Sequence, residues 1–238
     1  MTDSLEAFYQ QKEIDDQFNS MKLLSFLRQN SILEIECQEV SFPKNKYLIE
    51  TDEKSEYIYF ISDGIVAVEI NNKIIDFKTT TDIVGFSELM NLDNSEFSYK
   101  SISKVVVAWK FKKVEVLDKL LNTQEGYLYH YHYLTKELHR LQAKEELLRQ
   151  PSVEKIEKTL VYLIDKLGMD KKQGLVGDFI EFPISVALLA QYIELHEATI
   201  YRKIKEMRAA SIIYTEKQKI YIDVKGLAYH KQRDMSVL

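Results

Sequence analysis

The sequence has little of what disulfide-linked, metal-cluster and membrane proteins need. Cys37 is the only cysteine among 238 residues, which excludes an internal disulfide framework and any zinc or iron–sulfur site built from several cysteines. No stretch approaches about 18 apolar residues, and no apolar N-terminal run carries a cleavage pattern. We therefore expect a cytoplasmic protein without a membrane partner, in which Cys37 is a small buried hydrophobe.

Recognisable catalytic patterns are missing as well. The chain has no Gly-rich phosphate loop, no histidine triad and no nucleophile motif. All five histidines lie outside residues 40–111, so a metal-binding barrel in that region would have no histidine ligands. His130 and His132 are two residues apart on a predicted helix and share no face, which favours a polar edge over a metal site. We expect no catalytic residue, no metal and no cofactor.

Basic residues are scarce in the first half of the chain. Residues 1–111 contain 11 basic and 19 acidic side chains, whereas residues 151–238 contain 14 basic and 12 acidic ones. Phosphate contacts need local lysine and arginine rather than a basic chain overall. The net charge of −5 is therefore compatible with nucleic-acid binding by the C-terminal part.

Short runs rich in Ile, Val, Tyr and Phe, divided by polar turns, fill residues about 40–111. They predict β-strands over Tyr47–Glu50, Tyr57–Ser62, Ile65–Ile70, Lys73–Lys78 and Val105–Phe111. The pairs Asp63-Gly64 and Asn71-Asn72 favour hairpin turns. Strands at this spacing predict a sandwich or barrel, and the residues before them have helical spacing from about 3 to 33.

A heptad seam begins near the middle of the chain. Its apolar members, at alternating spacings of four and three, are Tyr127, Tyr131, Leu134, Leu138, Leu141 and Leu148. Glu145 interrupts the seam, and Pro151 ends the predicted helix. Because the seam is narrow, it favours pairing with a second copy of the helix over packing on the β-strands of the same chain. Residues 127–133 are predicted to contact both.

Residues 184–207 fit two short helices with a break near residues 194–196. Their apolar faces consist of Leu189, Ala190, Ile193, Ile200, Ile204 and Met207. This is the pattern of a helix-turn-helix, whose second helix lies in the DNA major groove. Residues 211–215 and 219–223 alternate in polarity around a polar tip, which predicts the hairpin of a winged helix.

The helix-turn-helix pattern also predicts DNA contacts. Tyr201, Arg202 and Lys205 lie on the polar side of the second helix and are expected to face bases or nearby phosphates. The residues expected to hold the phosphate backbone are Ser185, Thr199, Lys217 and Lys219. Double-stranded DNA and a second copy of the chain are therefore the expected partners.

The order of these elements resembles the cyclic AMP receptor protein/FNR family of bacterial transcription regulators. The resemblance covers about residues 18–230 and rests on PKNKYL at 43–48, YIYFISDG at 57–64, DIVG at 82–85, KTLVYL at 158–163, LAQY at 189–192 and TIYR at 199–202. It implies an α+β fold: an N-terminal antiparallel β-roll of double-stranded jelly-roll type, a long dimerisation helix and a C-terminal winged helix-turn-helix. The implied domains are residues 1–111, 112–150 and 151–238.

The resemblance implies a homodimeric regulator that binds a pseudo-palindromic DNA site, and the family leans to activators that touch RNA polymerase. Well-known members read bases with a Glu and two Arg, where this chain has Glu197, Ala198 and Arg202. Arg202 can read guanine, but Ala198 can touch only a thymine methyl group, so a different target sequence is expected. Family members often have Gly where Asn45 and Glu194 stand. Asn45 tolerates positive φ, whereas strain or altered geometry is expected at Glu194.

Cyclic-nucleotide-binding members hold the phosphate with an arginine, within a stretch that matches residues 85–100. No arginine lies between residues 29 and 139, and Lys100 cannot supply a planar bidentate donor. We therefore expect no tight binding of cyclic AMP or cyclic GMP. The chain is loosely similar to regulators of low-GC Gram-positive bacteria, including those that sense glutathione or peptides. An unidentified small-molecule or peptide effector would lie between the β-roll and the long helix, near residues 127–133, and constitutive activity is equally open.

Two other functions stay open from the residues themselves. One is a β-roll enzyme of the cupin type, for which the sequence offers no supporting motif. The other is an interaction module whose winged helix binds protein. DNA affinity that falls steeply with salt would distinguish a DNA-binding protein from such a module.

Overall fold

The computed structural model describes residues 11–29, 33–91, 93–167, 179–216, 219–223 and 225–227. The chain divides into two compact units, Met1–Gln142 and Ala143–Leu238. The boundary falls within one long helix, so that helix contributes residues to both units. Within the described ranges no helix combines the length and the apolar character needed to cross a bilayer.

Two short helices open the described part of the first unit. Helix α1 spans Gln11–Gln17 and α2 spans Ser20–Arg28. Asn19 separates them because it caps α2: its side-chain oxygen accepts a hydrogen bond from the Lys22 amide at 3.0 Å. The helical spacing predicted over residues 3–33 is thus interrupted at Asn19, and its parts at 3–10 and 30–32 lie outside the described residues.

Eight strands in the described part of the first unit form two antiparallel sheets. They are β1 (Cys37–Pro43), β2 (Tyr47–Ile49), β3 (Tyr57–Asp63), β4 (Val66–Ile70), β5 (Lys73–Lys78), β6 (Ile83–Val84), β7 (Ser98–Ser101) and β8 (Val105–Lys112). The strand orders are β1-β8-β3-β6 and β2-β7-β4-β5. The predicted α+β class with antiparallel sheets is confirmed. Strands β1, β6 and β7 were not predicted, since β6 has only two residues and β7 carries one apolar side chain.

One of the two turn predictions is confirmed and the other is wrong. Asn71 and Asn72 both have positive φ, 50° and 63°, and close the β4–β5 hairpin as predicted. Asp63-Gly64 forms no hairpin, because it joins β3 of one sheet to β4 of the other. Gly64 has φ 94°, and a Cβ atom there would lie 2.6 Å from the Val105 carbonyl oxygen. The pair therefore makes a tight corner between the sheets.

Two apolar clusters hold the roll together, one on each face of the β1-β8-β3-β6 sheet. Ile58 and Phe60 of β3 face α2 and a following helix, and the alternate residues Tyr59 and Ile61 face the second sheet. Strand β3 is thus buried on both faces, which explains its continuous apolar run. Cys37 is half-buried and packs against the helix-side cluster, close to the expected role of a small hydrophobe.

The helical period that begins near Val114 belongs to two helices. Helix α3 spans Lys113–Leu121, and the long helix α4 spans Gly126–Leu148. Glu125 has φ 65° between them, and a Cβ atom on Gly126 would lie 2.3 Å from the Leu120 carbonyl oxygen. The close approach of the two backbones ends α3 and starts α4 in a new direction.

The described part of the second unit contains the end of α4, further helices and a small sheet. These elements are α5 (Ser152–Leu167), β9 (Phe179–Glu181), α6 (Val186–Ile193), α7 (Glu197–Ala209), β10 (Ile213–Glu216) and β11 (Lys219–Asp223). The strand order is β10-β11-β9, all antiparallel. The predicted wing is confirmed, with Ile213 opposite Ile222, and its tip lies outside the described residues.

Candidate nucleic-acid interface

Helices α6 and α7 form the predicted helix-turn-helix. Ser185 caps α6, its hydroxyl oxygen accepting a hydrogen bond from the Leu188 amide at 3.3 Å. The predicted apolar faces are all buried: Leu189, Ala190, Ile193, Ile200, Ile204 and Met207. Because that face of α7 is held in the core, the opposite face must point to solvent.

The turn between these helices is built without glycine. Glu194 has φ 55° and ψ 45°, in the left-handed region, and its amide donates to the Ala190 carbonyl oxygen. A left-handed conformation costs a residue other than glycine roughly 1–2 kcal/mol. The strain expected at Glu194 is therefore present, while the turn geometry is preserved. His196 then caps α7, with Nδ1 accepting from the Ala198 amide at 3.4 Å.

The cations of α7 point in different directions. Tyr201, Arg202 and Lys205 are exposed on the side away from the core. Lys203 turns the other way: its ammonium lies 2.7 Å from the Glu157 carboxylate of α5, with only 11% of its side chain exposed. Lys203 therefore fixes α7 against α5 and leaves Arg202 and Lys205 as the outward cations at the centre of the helix.

A groove of about 940 Å³ runs between α7 and the wing. Tyr201, Lys205 and Arg208 line its helix side, and Lys219 lies on the wing side. Ser185, at the start of α6, lines the same groove. The sequence prediction did not include Arg208, although it lies seven residues after Tyr201 and therefore on the same helix face. The groove thus combines three basic side chains, a tyrosine and a serine with two carboxylates on the wing side, Glu181 and Glu216. Its donors for phosphate are concentrated on the helix side.

Lys219 is engaged within the wing. Its ammonium lies 2.8 Å from the Glu181 carboxylate of the neighbouring strand β9, and this hydrogen bond raises the pKa of Lys219. It therefore stays charged, but an approaching phosphate would compete with Glu181. Lys217, the other predicted wing contact, lies outside the described residues.

The remaining predicted contacts fall on the surface of α7. Glu197 and Ala198 are exposed in its first turn, and Thr199 is half-buried. The structure therefore brings Ser185, Tyr201, Lys205 and Lys219 to one groove and leaves the other predicted helix residues beside it. Within the described ranges, no group of three or more His, Cys, Asp or Glu side chains is arranged to hold a metal ion.

Helix α4 carries an uncovered apolar stripe in the first unit. The exposed fractions are Tyr127 59%, Tyr131 67%, Leu134 38%, Leu138 55% and Leu141 49%. These are five of the six predicted seam residues, and the sixth, Leu148, is half-buried in the second unit. Tyr129 and Tyr133 face the roll instead, where Tyr133 donates to the Ile83 carbonyl oxygen at 2.9 Å.

The expectation that His130 and His132 form a polar edge is wrong. They are 7% and 5% exposed, because the roll covers His130 and α1 covers His132. His130 Nε2 lies 3.0 Å from the Phe86 carbonyl oxygen, and His132 Nε2 lies 2.9 Å from Asp15 Oδ1, although not aligned for a hydrogen bond. Sequence spacing could not reveal this burial, since no local pattern identifies the covering residues.

Acidification should weaken the folded state through His130. Burial lowers its pKa despite the opposing contact with the Phe86 carbonyl. Below the ordinary histidine value of about 6.5, the unfolded chain takes up a proton that the folded chain resists, so stability falls as the pH falls. Between pH 7.5 and 5.0, His130→Gln should lose less free energy of unfolding than the wild type, by on the order of 1 kcal/mol.

Urea titrations at the two pH values measure that difference. His139→Gln is the matched control, because His139 is exposed on the same helix. Equal pH sensitivity of the wild type and the His130 variant would contradict the assignment.

The fold recurs in solved structures of other proteins. FixK2 from Bradyrhizobium japonicum gives a TM-score of 0.68 at 17% identity, covering 82% of this chain and 97% of that one. A cyclic nucleotide-binding domain containing protein from Listeria monocytogenes gives 0.64 at 19% identity, covering 86% and 97%. A CRP family transcriptional regulator from Thermus thermophilus gives 0.63 at 18% identity, covering 79% and 94%.

No family model and no curated protein matches the sequence. At identities below 20%, the three structures establish a shared fold along most of this chain. The fold that the sequence motifs implied, with a β-roll and a helix-turn-helix, is confirmed.

Proposed function

We propose that the chain is a homodimeric DNA-binding transcription regulator of the cyclic AMP receptor protein/FNR type, which binds a pseudo-palindromic site and is not controlled by cyclic AMP. The observation that carries the proposal is the outward face of α7, where Arg202 and Lys205 are exposed beside a groove that Arg208 also lines. A buried apolar face and an exposed polar face on one short helix meet the requirement for insertion into the major groove.

Each predicted contact residue then has a specific role on DNA. Arg202, at the centre of the exposed face, donates to guanine O6 and N7 through its bidentate guanidinium. Ala198 packs on a thymine methyl group. Lys205 contacts a base edge or an adjacent phosphate, and Tyr201 lies beside it. Arg208, at the helix side of the groove, holds the phosphate backbone.

The residues around the recognition helix position it on the duplex. Ser185 and Thr199 donate to the backbone from the first turns of α6 and α7, where helix N-termini favour phosphate. Lys219 reaches the backbone from the wing after exchanging its carboxylate partner Glu181 for a phosphate. Lys217 extends the same contact at the wing tip, and Glu197 limits which base fits next to Ala198.

The exposed stripe of α4 supports the homodimer. Water-exposed Tyr127, Tyr131, Leu134, Leu138 and Leu141 repeat at spacings of four and three, the pattern that buries a seam against an identical helix. Two copies present two recognition helices, separated by one helical turn of DNA, about 34 Å. RNA polymerase is a further partner if the protein activates transcription, as members of the family tend to do.

Cyclic nucleotides are poorly suited to the roll. The loop after Gly85 carries the buried Glu88, whose carboxylate accepts hydrogen bonds from the Ser95 hydroxyl at 2.7 Å and the Glu96 amide at 2.9 Å. These bonds engage both carboxylate oxygens within the loop, and no arginine lies between residues 29 and 139 to hold a phosphate. Lys100, the nearest alternative in the matched stretch, lies over the Tyr47 ring at 5.3 Å.

Arg202→Ala should weaken and relax sequence-specific binding. The loss of one bidentate base contact costs about 1–3 kcal/mol, or roughly 5- to 150-fold in affinity, with little change in non-specific binding. Fluorescence anisotropy measures both affinities. The specific duplex is one that the wild-type protein selects from a random pool, and a scrambled duplex reports non-specific binding. Arg149→Ala is the control, since Arg149 is exposed outside the helix-turn-helix. Full affinity and selectivity in the Arg202 variant would refute this docking.

The same titration repeated at several salt concentrations tests the class of partner. Phosphate contacts release counterions, so the logarithm of the affinity should fall linearly with the logarithm of the salt concentration. An interaction module that binds protein would show no DNA selection in the first place.

A further inference from the structure

Five charged side chains meet where α4 packs on the roll. They are Asp76 and Lys78 of β5, Asp82 before β6, and Glu137 and Arg140 of α4. The Lys78 ammonium lies 2.5 Å from Glu137 and 3.6 Å from Asp76, and Arg140 lies 2.7 Å from Glu137 and 3.2 Å from Asp82. Lys78 is only 3% exposed. Two cations and three carboxylates therefore form one continuous cluster that joins the sheet to the helix.

Lys78 remains charged in spite of its burial. Burial disfavours the charged form of Lys78, but the carboxylates of Glu137, Asp76 and Asp82 outweigh it and hold the pKa of Lys78 above its ordinary value. A buried ion pair of this kind adds little net stability compared with apolar side chains of the same size. Its contribution is to the relative orientation of the β5 sheet and α4, since only one orientation of the two satisfies every charge.

That geometry matters because α4 also carries the exposed seam. Glu137 lies beside Leu138, and Arg140 lies beside Leu141, one residue apart on the helix. A rotation of α4 about its axis would break the ion pairs and turn the seam to a different direction at the same time. The helix then continues into the second unit. The cluster thus sets the rotation of the element on which the proposed dimer depends.

We propose that this cluster is an internal tether, which fixes α4 on the roll in the DNA-binding state without a diffusible effector. The inference rests on the proposed function and deepens it, because it assigns regulation of that function. An effector was expected to act between the roll and α4. The cluster lies in this region, where the Tyr133 ring is 5.6 Å from the Lys78 ammonium, and it borders a cavity of about 250 Å³ lined by Asp82, Tyr133, Glu137 and Arg140. Because the tether holds α4 by itself, that cavity needs no occupant, and the protein is controlled by its abundance rather than by a ligand.

The test compares two variants with the wild type. Lys78→Met removes one cation and leaves Glu137 and Asp76 without it. We expect this single variant to destabilise the fold more than the double variant does. Lys78→Met with Glu137→Met removes one charge of each sign. Asp76 still loses Lys78, but Arg140 keeps Asp82 and the net charge of the cluster is unchanged, so the fold should persist. Lys54→Met is the control, because Lys54 forms an exposed ion pair with Glu56. All proteins are unfolded in guanidinium chloride, dialysed and refolded, which removes any bound small molecule.

Two quantities are then measured at a temperature where circular dichroism shows complete folding. The first is affinity for the duplex that the wild type selects from a random pool. Refolded wild type should keep its full affinity, and the double Met variant should bind at least tenfold more weakly. The second is amide hydrogen exchange over residues 126–142, which should quicken at least tenfold in the double variant. A purely stabilising role would leave the affinity unchanged and would quicken exchange throughout the first unit rather than in residues 126–142 alone.

Each outcome decides whether the cluster acts as a tether of α4. If the double Met variant matches the wild type in affinity and exchange, the tether is refuted. If refolded wild type loses affinity and regains it with a small-molecule extract, an effector is required and the tether is also refuted. If the wild type selects no duplex, the proposed function fails, and the exchange measurement alone then decides whether the cluster holds α4.

Discussion

Leu134→Glu with Leu138→Glu should convert the protein from a dimer to a monomer and weaken specific DNA binding by about a hundredfold or more. Both leucines are exposed on α4, at 38% and 55%, where the seam would face its partner. Four carboxylates would then meet across the pair of helices, and like charges in a coiled-coil interface are strongly unfavourable. A monomer binds one half-site and loses the gain of simultaneous attachment, which is typically 10²- to 10⁴-fold.

Sedimentation equilibrium measures the association, and anisotropy with a two-half-site duplex measures the DNA affinity. Val114→Glu with Leu121→Glu is the matched control, since these residues are 61% and 62% exposed on the neighbouring helix α3. The control should remain dimeric and bind DNA normally. A seam variant that still sediments as a dimer would show that the copies associate through another surface.

Lys119→Met should cost about 3 kcal/mol or more in the free energy of unfolding. Lys119 is 1% exposed, and its ammonium donates to the carbonyl oxygens of Leu27, Gln29 and Leu33. These three bonds tie the end of α2 to the chain that leads into β1. Methionine fills a similar volume but donates nothing. One buried and two partly buried carbonyl groups then lose their donor, and the cost of a buried one is about 1–3 kcal/mol.

Thermal unfolding followed by circular dichroism should show a midpoint lower by about 6–12 °C for the first unit. Lys22→Met is the control, because Lys22 is exposed on α2 and the substitution removes a cation at the surface only. A midpoint within about 2 °C of the wild type would mean that the carbonyl groups find other donors.

Sequence patterns located the elements whose boundaries are local. The long helix α4 ends at Leu148, close to the predicted stop at Pro151, and α6 and α7 carry their predicted apolar faces. Caps, breaks and periodicity within a few residues determine such helices. The Asn71-Asn72 hairpin was predictable for the same reason, since both residues accept positive φ.

The features that the sequence did not predict depend on distant residues. Asp63-Gly64 has the composition of a hairpin turn, yet it forms a corner between sheets. At this corner Gly64 packs against the backbone of Val105, which is distant in the sequence. The burial of His130 depends on Phe86, 44 residues away. The ion cluster joins Lys78 to Glu137, 59 residues later, and charge composition alone cannot pair them. Such pairings follow from the tertiary fold, which overrides local preference.

The same reasoning applies to the candidate interface. Periodicity separated the core side of α7 from its outward side, and so identified Arg202 and Lys205. It could not identify Lys203 as an inward cation, because its partner Glu157 belongs to another helix. Arg208 was accessible to the same periodicity argument and was missed.

The contact between Lys203 and Glu157 has a consequence for altering the target sequence. One cation of α7 serves as an anchor, so the azimuth of the helix does not depend on the residues that touch bases. Positions 198, 202 and 205 can then be randomised in a library to obtain new DNA preferences on an unchanged scaffold. If position 203 were included in that library, the orientation of the helix would vary together with its base-contacting residues. The effects of orientation and of base contacts on DNA preference could then no longer be separated.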